Sequence, residues 1–290
     1  MTLRRWLLLL GLAVMALFAY MYSVAVRDPI IRRASIALPD WPANAPPLKV
    51  MLISDVHVAG PDMPPERLAR IVAQVNAAKP DLVLFAGDFV SDKGLSTTLY
   101  PGMAAMAPLT QLKAPLGAVA VMGNHDHWRG LTEMAVALQA AHVTVLSNGA
   151  MRLGPLIIGG IDDDFTHHSK VPETLAAMTR LSQDISNPRS AAKIILTHSP
   201  DIMPSLPKSG EAEFASLLLA GHTHCGQIVL PYYGPLSSVS RYGLRYNCGL
   251  IREDGKTLVV GAGLGTSILP LRLGAVPDMW LLTLGRTAKP

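Results

Sequence analysis

Five short apolar runs of this chain each end in side chains that can bind a metal ion. Runs of this length, rich in aliphatic residues, are typical of buried strands in an α/β sheet. Since the carboxyl ends of parallel strands meet at one edge of a sheet, where ligands bind, these side chains are expected to converge. The runs and the polar residues at their ends are 48–55 with Asp55 and His57, 81–88 with Asp88, 117–126 with Asn124, His125 and Asp126, 193–199 with His198, and 213–222 with His222 and His224.

Helical stretches alternate with these runs. "PPERLARIVAQVNAAKP" (64–80) has apolar residues at helical spacing, and "LTEMAVALQAAH" (131–142) predicts a second helix. Further strands are predicted at 156–162, 258–263 and 279–285. This alternation predicts a layered α/β fold in a single domain without internal repeats. The segments 91–116, 163–190 and 230–250 are expected to be loop-rich insertions.

The N-terminus is the most apolar part of the chain. Residues 6–26 contain no charge, and a helix of 21 residues rises about 30 Å, enough to cross a membrane. Because the apolar region of a cleavable signal peptide is usually shorter, we favour a retained transmembrane anchor over residues 1–27, with cleavage near "SVA" (23–25) as the alternative. Arginines flank the segment on both sides, so the positive-inside rule gives no clean orientation.

The segment after the anchor contains many prolines. Four of them fall within "LPDWPANAPP" (38–47), which predicts a Pro-rich linker over 28–47 and a folded domain over 48–290. The net charge of +4 is too small to indicate nucleic-acid binding, and 50% hydrophobic residues exclude a disordered chain. Two cysteines are too few for a disulfide framework, and whether Cys225 and Cys248 pair is left open.

Crowded carboxylates and imidazoles need a positive partner, because unpaired buried charges are costly. Divalent metal ions supply that partner. The mixture of Asp, His and Asn favours Mn²⁺, Fe or Zn²⁺ over the all-oxygen coordination of Ca²⁺ or Mg²⁺.

The succession D-x-H, G-D, G-N-H-D, a lone His and G-H-x-H over residues 53–224 resembles the calcineurin-like metallophosphoesterases. The resemblance implies a four-layer α/β/β/α sandwich with two divalent metal ions at the strand ends. The segments "ILTHSPD" (195–201), "GHTHCGQIVLP" (221–231) and "GLGTSILPLRLG" (263–274) are similar to a membrane-anchored bacterial phosphodiesterase branch, which has Gly where Cys225 stands. A free thiol there would make the enzyme sensitive to oxidation.

The resemblance also implies a role for each matching residue. His125 would protonate the leaving alkoxide, and Asp126 would orient its ring. Arg272 is a candidate contact for the substrate phosphate, with a surface arginine as the alternative. The metal ligands implied by the resemblance are Asp55, His57 and His224 for the first ion, Asn124, His198 and His222 for the second, and Asp88 bridging both.

Other polar residues have weaker claims. His127 is expected to lie in a loop or pocket wall rather than to bind a metal ion. Asp162, Asp163 and Asp164 are expected to cap the next segment of the chain or to be solvated. His167 and His168 are expected to be exposed. The Tyr- and Pro-rich loop 231–246 either forms a wall over the metals or packs without contacting substrate.

The function implied is hydrolysis of a phosphodiester or pyrophosphate bond, by attack of a metal-generated hydroxide on phosphorus. The anchor favours a membrane-associated, lipid-linked substrate, such as a UDP-diacylglucosamine-type glycolipid. The alternative is a non-catalytic phosphate-binding or scaffold module on the same fold. The protein is expected to cross the bacterial inner membrane once, with its domain on the periplasmic side. The oligomeric state is left open.

Overall fold

The computed structural model describes residues 2–183, 191–211 and 215–286. A long N-terminal helix precedes a domain in which strands and helices alternate, as the apolar pattern predicts. The α-helices of these residues are α1 (Leu3–Val26), α2 (Pro65–Ala78), α3 (Gly102–Met106), α4 (Asn124–Ala140) and α5 (Val171–Ser182).

Fourteen strands are found in the described residues, and twelve of them form two six-stranded sheets. In the first sheet the strand order is β1-β14-β2-β3-β4-β5, and in the second it is β12-β13-β9-β8-β7-β6. The strands are β1 (Ile30–Ala37), β2 (Leu48–Ile53), β3 (Leu82–Ala86), β4 (Ala118–Val121), β5 (Val143–Val145), β6 (Gly149–Leu153), β7 (Leu156–Gly160), β8 (Ala192–Leu196), β9 (Leu217–Ala220), β10 (Val229–Leu230), β11 (Gly234–Pro235), β12 (Gly249–Glu253), β13 (Lys256–Val260) and β14 (Asp278–Gly285).

The two sheets pack face to face, with helices on both outer faces. Between the sheets lies one apolar core, to which Leu52 and Leu84 of the first sheet and Ile158 and Ile194 of the second contribute. A second core joins the first sheet to α2, α3 and α4, and a third joins the second sheet to α5. The predicted four-layer α/β/β/α sandwich is confirmed.

The predicted strands extend too far at their carboxyl ends. β2 ends at Ile53 and β3 at Ala86, because Asp55 and Asp88 adopt left-handed backbone with φ of 50° and 57°. The third run ends at Val121, and "NHD" (124–126) opens α4 rather than closing a strand. The insertion 163–190 contains a helix, α5, where the sequence predicted loop; residues 184–190 of that insertion lie outside the described residues.

The segment expected to be a linker belongs partly to the domain. β1 pairs in parallel with β14 from Ile30–Asp278 to Ala37–Gly285, and the side chains of Leu38 and Trp41 are buried. The linker prediction for 28–47 is therefore wrong over Ile30–Ala37. Prolines are concentrated after residue 38, so the eight residues before them are free to donate ladder hydrogen bonds.

α1 is the one helix in the described part of the chain that is long and apolar enough to cross a membrane, with a mean hydropathy of 2.2. Its residues up to Tyr20 are exposed, whereas Met21, Val24 and Ala25 are buried against the domain. α1 is thus a candidate transmembrane span whose last turn is packed on the folded domain.

Candidate metal centre

All seven predicted metal ligands lie at one edge of the two sheets. They follow β2, β3, β4, β8 and β9, and each is buried, with no more than 6% of its surface exposed. Buried carboxylates and imidazoles are rare unless they are paired or bind a metal. The ligand residues that the structure brings together are Asp55, His57, Asp88, Asn124, His198, His222 and His224.

Five of these seven residues adopt left-handed backbone, which is uncommon for residues other than glycine. Such conformations cost of order 1–3 kcal/mol each and persist where the surrounding structure imposes them, frequently at functional sites. They turn each side chain off the strand axis and into the centre. The residues are Asp55, His57, Asp88, His222 and His224, with φ between 50° and 70°.

Two glycines give the carboxylates room. A Cβ on Gly123 would lie 2.3 Å from Oδ1 of Asp88, and a Cβ on Gly221 would lie 2.5 Å from Oδ2 of Asp55. Neither glycine has a positive φ, so close approach rather than a sharp turn explains them. Turn chemistry does apply at Gly87, whose φ is 80°.

The first group of ligands is Asp55, His57 and His224. Nε2 of His224 lies 3.6 Å from Oδ1 of Asp55 and 3.1 Å from Nε2 of His57. The two imidazole rings are stacked, with centroids 4.9 Å apart. Three lone-pair atoms therefore point at one small volume.

Asp88 connects this group to a second one. Its Oδ2 lies 3.4 Å from Nε2 of His57 and 3.1 Å from Nε2 of His198. Nε2 of His198 is also 3.1 Å from Oδ1 of Asn124 and 3.1 Å from Nδ1 of His222. A carboxylate between two groups of ligands has the position that a bridging ligand requires, since each of its oxygens carries two lone pairs.

The tautomer of His198 is fixed by a hydrogen bond from the ring nitrogen that faces away from the other ligands. Its Nδ1 donates to the carbonyl oxygen of Ala86 at 2.7 Å, which directs Nε2 toward Asp88 and Asn124. Metal-binding histidines are commonly held by such a hydrogen bond from the other ring nitrogen. The Ala86 carbonyl is supplied by the last residue of β3, so the sheet itself orients the ligand.

Most imidazoles of the centre are held neutral. Burial lowers the pKa of His222 to about 3 and the pKa values of His57 and His224 well below 6.5. At His198 burial also lowers the pKa, but the Asp88 carboxylate outweighs it and raises the pKa to about 10. Neutral imidazoles are the form that binds metals.

Several buried polar atoms of the centre have no hydrogen-bond partner among the described residues. They are Oδ2 of Asp55, Nδ1 of His57 and Nε2 of His222. A native interior rarely leaves such atoms unpaired, and a bound ion is a common partner for those without a hydrogen bond. The donor set, its burial and the unpaired atoms of Asp55 and His222 fit divalent cations held by nitrogen and oxygen ligands. Nδ1 of His57 is not part of this fit, because Nε2 is the ring nitrogen that faces Asp88 and His224.

His125 lies beside this centre, but its orienting partner is not the one predicted. Its Nδ1 contacts Oδ1 of Asp92, and its Nε2 lies 4.0 Å from Oδ2 of Asp88. The ring also contacts Trp128 edge to face, with centroids 5.0 Å apart. Asp92 was missed because it lies in the segment 91–116, which the sequence presents as a loop insertion.

Asp126 is engaged elsewhere. Its carboxylate accepts hydrogen bonds from the backbone N–H groups of Asp88, Phe89 and Gly123 at 2.8–3.0 Å. It therefore fixes the turn that carries Asp88, and the predicted contact with His125 is not made. Burial and the neighbouring Asp88 raise the pKa of Asp126 to about 7.

Arg272 is also placed differently from its prediction. Its side chain is completely buried, and its guanidinium donates to the carbonyl oxygens of Ala262, Gly263, Gly265 and Ala275 at 2.5–3.2 Å. All three guanidinium nitrogens donate to these carbonyls, and Nη2 also lies 3.3 Å from Nδ1 of His224. The predicted contact with a substrate phosphate is therefore wrong in this structure, and Arg272 instead holds the loop beside Asp55 and His57.

The residues with weaker claims lie near the centre without joining it. Nε2 of His127 lies 2.8 Å from Oδ1 of Asp162, and its ring stacks on exposed His168 with centroids 4.1 Å apart. Asp163 accepts from the N–H and hydroxyl of Thr166, as a capping carboxylate does. None of these groups reaches the metal ligands in the contacts of the described residues.

Cys225 and Cys248 form a disulfide, which the sequence left open. Cys225 directly follows His224, and its own φ of 53° continues the left-handed turn. Neither cysteine is a free thiol, so the expected sensitivity of a thiol beside the metals does not apply. The bond instead ties the ligand-bearing turn to residue 248.

A cavity of about 370 Å³ opens above the centre. Its floor includes Asp88, Asn124, His125, His222 and His224. Its walls are largely apolar, and several of the wall side chains are also exposed to solvent. These are Trp128, Phe165, Leu236, Val239 and Ile268.

The profile of the family described as "Calcineurin-like phosphoesterase" matches residues 48–226, which include all seven predicted ligands and both Asp92 and His125. The chain belongs to the calcineurin-like phosphoesterase family. Its sequence is 32% identical over 245 residues to the "Uncharacterized metallophosphoesterase YkuE" of Bacillus subtilis, covering 82% of this chain and 79% of that protein.

Other relatives are longer than this calcineurin-like phosphoesterase. The chain is 34% identical over 232 residues to F40B5.2 of Caenorhabditis elegans, covering 77% of this chain and 45% of that protein. It is 29% identical over 269 residues to a zebrafish (Danio rerio) "Transmembrane protein with metallophosphoesterase domain", and the match covers 87% of this chain and 56% of that protein. The chain thus spans about half the length of these two relatives.

Proposed function

We propose that this chain hydrolyses a phosphodiester or pyrophosphate bond with the help of two divalent cations, Mn, Fe or Zn. The observation that carries the proposal is the arrangement around Asp88. Two groups of buried ligands share its carboxylate, and the ring of His125 lies beside them on the cavity side. A site built only to hold phosphate has no need of that extra, separately oriented histidine.

Asp55, His57 and His224 would hold one cation and Asn124, His198 and His222 the other, with Asp88 shared. When bound, such a pair supplies a water of lowered pKa and positive charge for the phosphate oxygens. The chain's own ligand residues contribute by fixing that charge where water is excluded. Their burial keeps the surrounding dielectric low, which strengthens every electrostatic contact with the phosphate.

His125 would donate a proton from Nε2 to the leaving oxygen. Its ring is accessible from the cavity, since 12% of the side chain is exposed, and Nδ1 is engaged with the Asp92 carboxylate. That contact fixes the orientation of the ring and leaves Nε2 on the side of Asp88 and the cavity. Asp92 is therefore a positioning residue, which acts through His125.

The cavity walls favour a substrate with an apolar part. Trp128 and Phe165 contact each other and the rings of His125 and His222, so an apolar wall begins directly beside the ligands. Pockets of this composition bind ligands chiefly by apolar contact and use a few polar groups for orientation. A lipid-linked phosphoester, such as a UDP-diacylglucosamine-type glycolipid, meets both demands.

The test is hydrolysis by the full-length chain in detergent or nanodiscs, purified without chelator, with metal content measured by elemental analysis. We expect Mn²⁺-stimulated hydrolysis of bis(p-nitrophenyl) phosphate. Asp88→Ala should lose activity and bound metal together, whereas the exposed Asp40→Ala is the matched control and should lose neither. A protein that binds two ions per chain and turns over no substrate would instead favour the scaffold alternative.

A substrate screen separates the chemical classes. It should compare a nucleotide diester, a phospholipid, a UDP-linked glycolipid and a phosphomonoester at equal concentration. We expect the lipid-linked pyrophosphate to have the highest kcat/KM. A preference for the soluble monoester would contradict the assignment of the apolar walls to substrate binding.

We further propose that the domain lies on the periplasmic side of a bacterial inner membrane, held by α1 as a single span. The disulfide between Cys225 and Cys248 supports this side, because disulfides form and persist in oxidising compartments. A C-terminal alkaline phosphatase fusion should be active and a C-terminal green fluorescent protein fusion dark. The reverse result would place the domain in the cytoplasm.

A further inference from the structure

The topology of the first sheet determines the face from which the N-terminal helix leaves the domain. β1 is parallel to β14, and β14 is antiparallel to β2, with Ile30 opposite Asp278 and Trp280 opposite Leu52. The start of β1 therefore lies at the end of β2, which is the edge that carries Asp55. α1 ends at Val26, only a few residues before β1 begins, so it leaves the domain at the ligand edge.

The loop that follows β13 contacts both α1 and the cavity. The backbone N–H of Arg272 donates to the carbonyl oxygen of Met21 at 3.1 Å. Ser267, Ile268 and Leu269 of the same loop line the cavity. Tyr22 is held nearby, since its hydroxyl donates to the carbonyl oxygen of Pro61 at 3.2 Å. The last turn of α1 is thus fixed beside the cavity mouth.

Large apolar side chains are exposed at this mouth and in the hairpin turn that precedes it in the chain. We call them the apolar rim: Leu236, Val239 and Ile268, which line the cavity, and Tyr232 and Tyr233 in the β10–β11 turn. Ile268 is 76% exposed and Tyr233 75% exposed. Several large apolar side chains exposed beside a cavity indicate a contact with another molecule or with a membrane.

The rim is apolar rather than basic. The two arginines of the adjoining loop are paired within the domain, Arg241 with Asp164 and Arg245 with Glu253. Although both guanidiniums are exposed, each lies beside a carboxylate, so these ion pairs add no unbalanced positive charge. Tyrosines beside aliphatic side chains are instead typical of the boundary between headgroups and acyl chains.

We propose that the apolar rim lies in the headgroup–acyl boundary of the bilayer that α1 enters, so that the cavity opens onto the membrane surface. The occupant is the lipid bilayer itself, because α1 enters the membrane from the same face and its end is fixed to the rim loop. This inference rests on the proposed membrane span of α1, but it does not depend on the metal chemistry, because topology and exposure carry it.

The test places a spin label on the rim of the full-length chain in nanodiscs of phosphatidylethanolamine and phosphatidylglycerol. Both native cysteines are in the disulfide, so Ile268→Cys provides one labelling site. Val136→Cys is the matched control: it is an exposed aliphatic residue in the part of α4 after Gly130, which leads back to β5 at the opposite edge of the first sheet. Power saturation compares the accessibility of each label to oxygen and to a water-soluble nickel chelate.

We expect the Ile268 label to be more accessible to oxygen than to nickel, and the Val136 label to show the reverse. Equal, water-like accessibility at both positions would overturn the proposal. Spin–spin broadening at Ile268 would also overturn it, because it would assign the rim to a second copy of this chain.

A second measurement uses turnover. The double variant Tyr232→Glu, Tyr233→Glu should lower hydrolysis of a bilayer-embedded lipid phosphodiester at least tenfold, with hydrolysis of soluble bis(p-nitrophenyl) phosphate unchanged. Equal rates on the embedded substrate would contradict a membrane contact of the rim. Absence of all hydrolysis in the wild type would refute the proposed function, whereas the spin-label comparison would still decide where the rim lies.

Discussion

Nδ1 of His125 is in contact with the carboxylate of Asp92, and the carboxylate of Asp126, one residue away along the chain, faces the backbone of the β3 turn instead. The two acidic residues therefore have different roles. Asp92 orients the His125 ring on the cavity side, whereas Asp126 holds the backbone of the turn that carries Asp88. Substitutions at the two positions should give effects of different kinds.

Asp92→Asn should lower kcat about 10- to 100-fold with metal content and thermal stability unchanged, because a neutral amide holds His125 less well as a proton donor. The loss should be larger for a diester with an alkoxide leaving group than for bis(p-nitrophenyl) phosphate, whose leaving group needs little protonation. Steady-state kinetics on both substrates measure the difference. An equal loss on both would show that Asp92 does not act through the proton of His125.

Asp126→Ala should lower stability and metal content together. It removes the acceptor of several buried backbone N–H groups, each of which costs about 1–3 kcal/mol when left unpaired. Urea unfolding of the metal-loaded protein, with elemental analysis on the same sample, measures both quantities. A variant with unchanged stability and a selective loss of kcat would restore the catalytic role that the sequence suggested.

The pair of His127 and Asp162 should make stability depend on pH. The hydrogen bond to Asp162 raises the pKa of His127 above 6.5, so its stabilising contribution is complete below pH 6.5 and is lost as the pH rises through the folded-state pKa. His127→Gln should therefore destabilise the protein more at pH 6 than at pH 9. Urea midpoints of both proteins at the two pH values test this, and a penalty independent of pH would exclude the ion pair.

Breaking the disulfide should loosen the turn that carries His224. Its sequence separation of 23 residues corresponds to a loop-closure stabilisation of about 3 kcal/mol. Cys225→Ser and Cys248→Ser should both lower the Tm and the affinity for metal, each to the same extent, because both remove one bond. If only Cys225→Ser had an effect, local packing around that residue rather than the covalent link would be responsible.

Ligand residues were predictable because each carries its own signal. An apolar run followed by Asp or His predicts a strand with a ligand at its end. Asp55, Asp88 and His222 could therefore be predicted as ligands from a few neighbouring residues. The four-layer fold followed from the resemblance that these motifs carry. Their convergence depends only on the rule that parallel strands present their carboxyl ends together.

The partners of these residues were harder to predict, because they are set by packing between distant segments. Asp92 meets His125 only after α4 and the 91–97 loop are brought together, and no motif spacing encodes that contact. Arg272 could be taken for a surface cation because its sequence does not show the ring of carbonyl oxygens that surrounds it. β1 was missed for a related reason: its pattern was interpreted together with the prolines that follow it.

β1 has a practical consequence for handling the domain without its helix. It covers the long edge of β14, whose sequence "DMWLLTLG" (278–285) is almost wholly apolar and buried. A fragment starting at residue 48 would leave that edge uncovered and ready to pair with neighbouring chains. A secreted, helix-free version should therefore start near residue 28, and gel filtration should find it monodisperse where the shorter one elutes as aggregates.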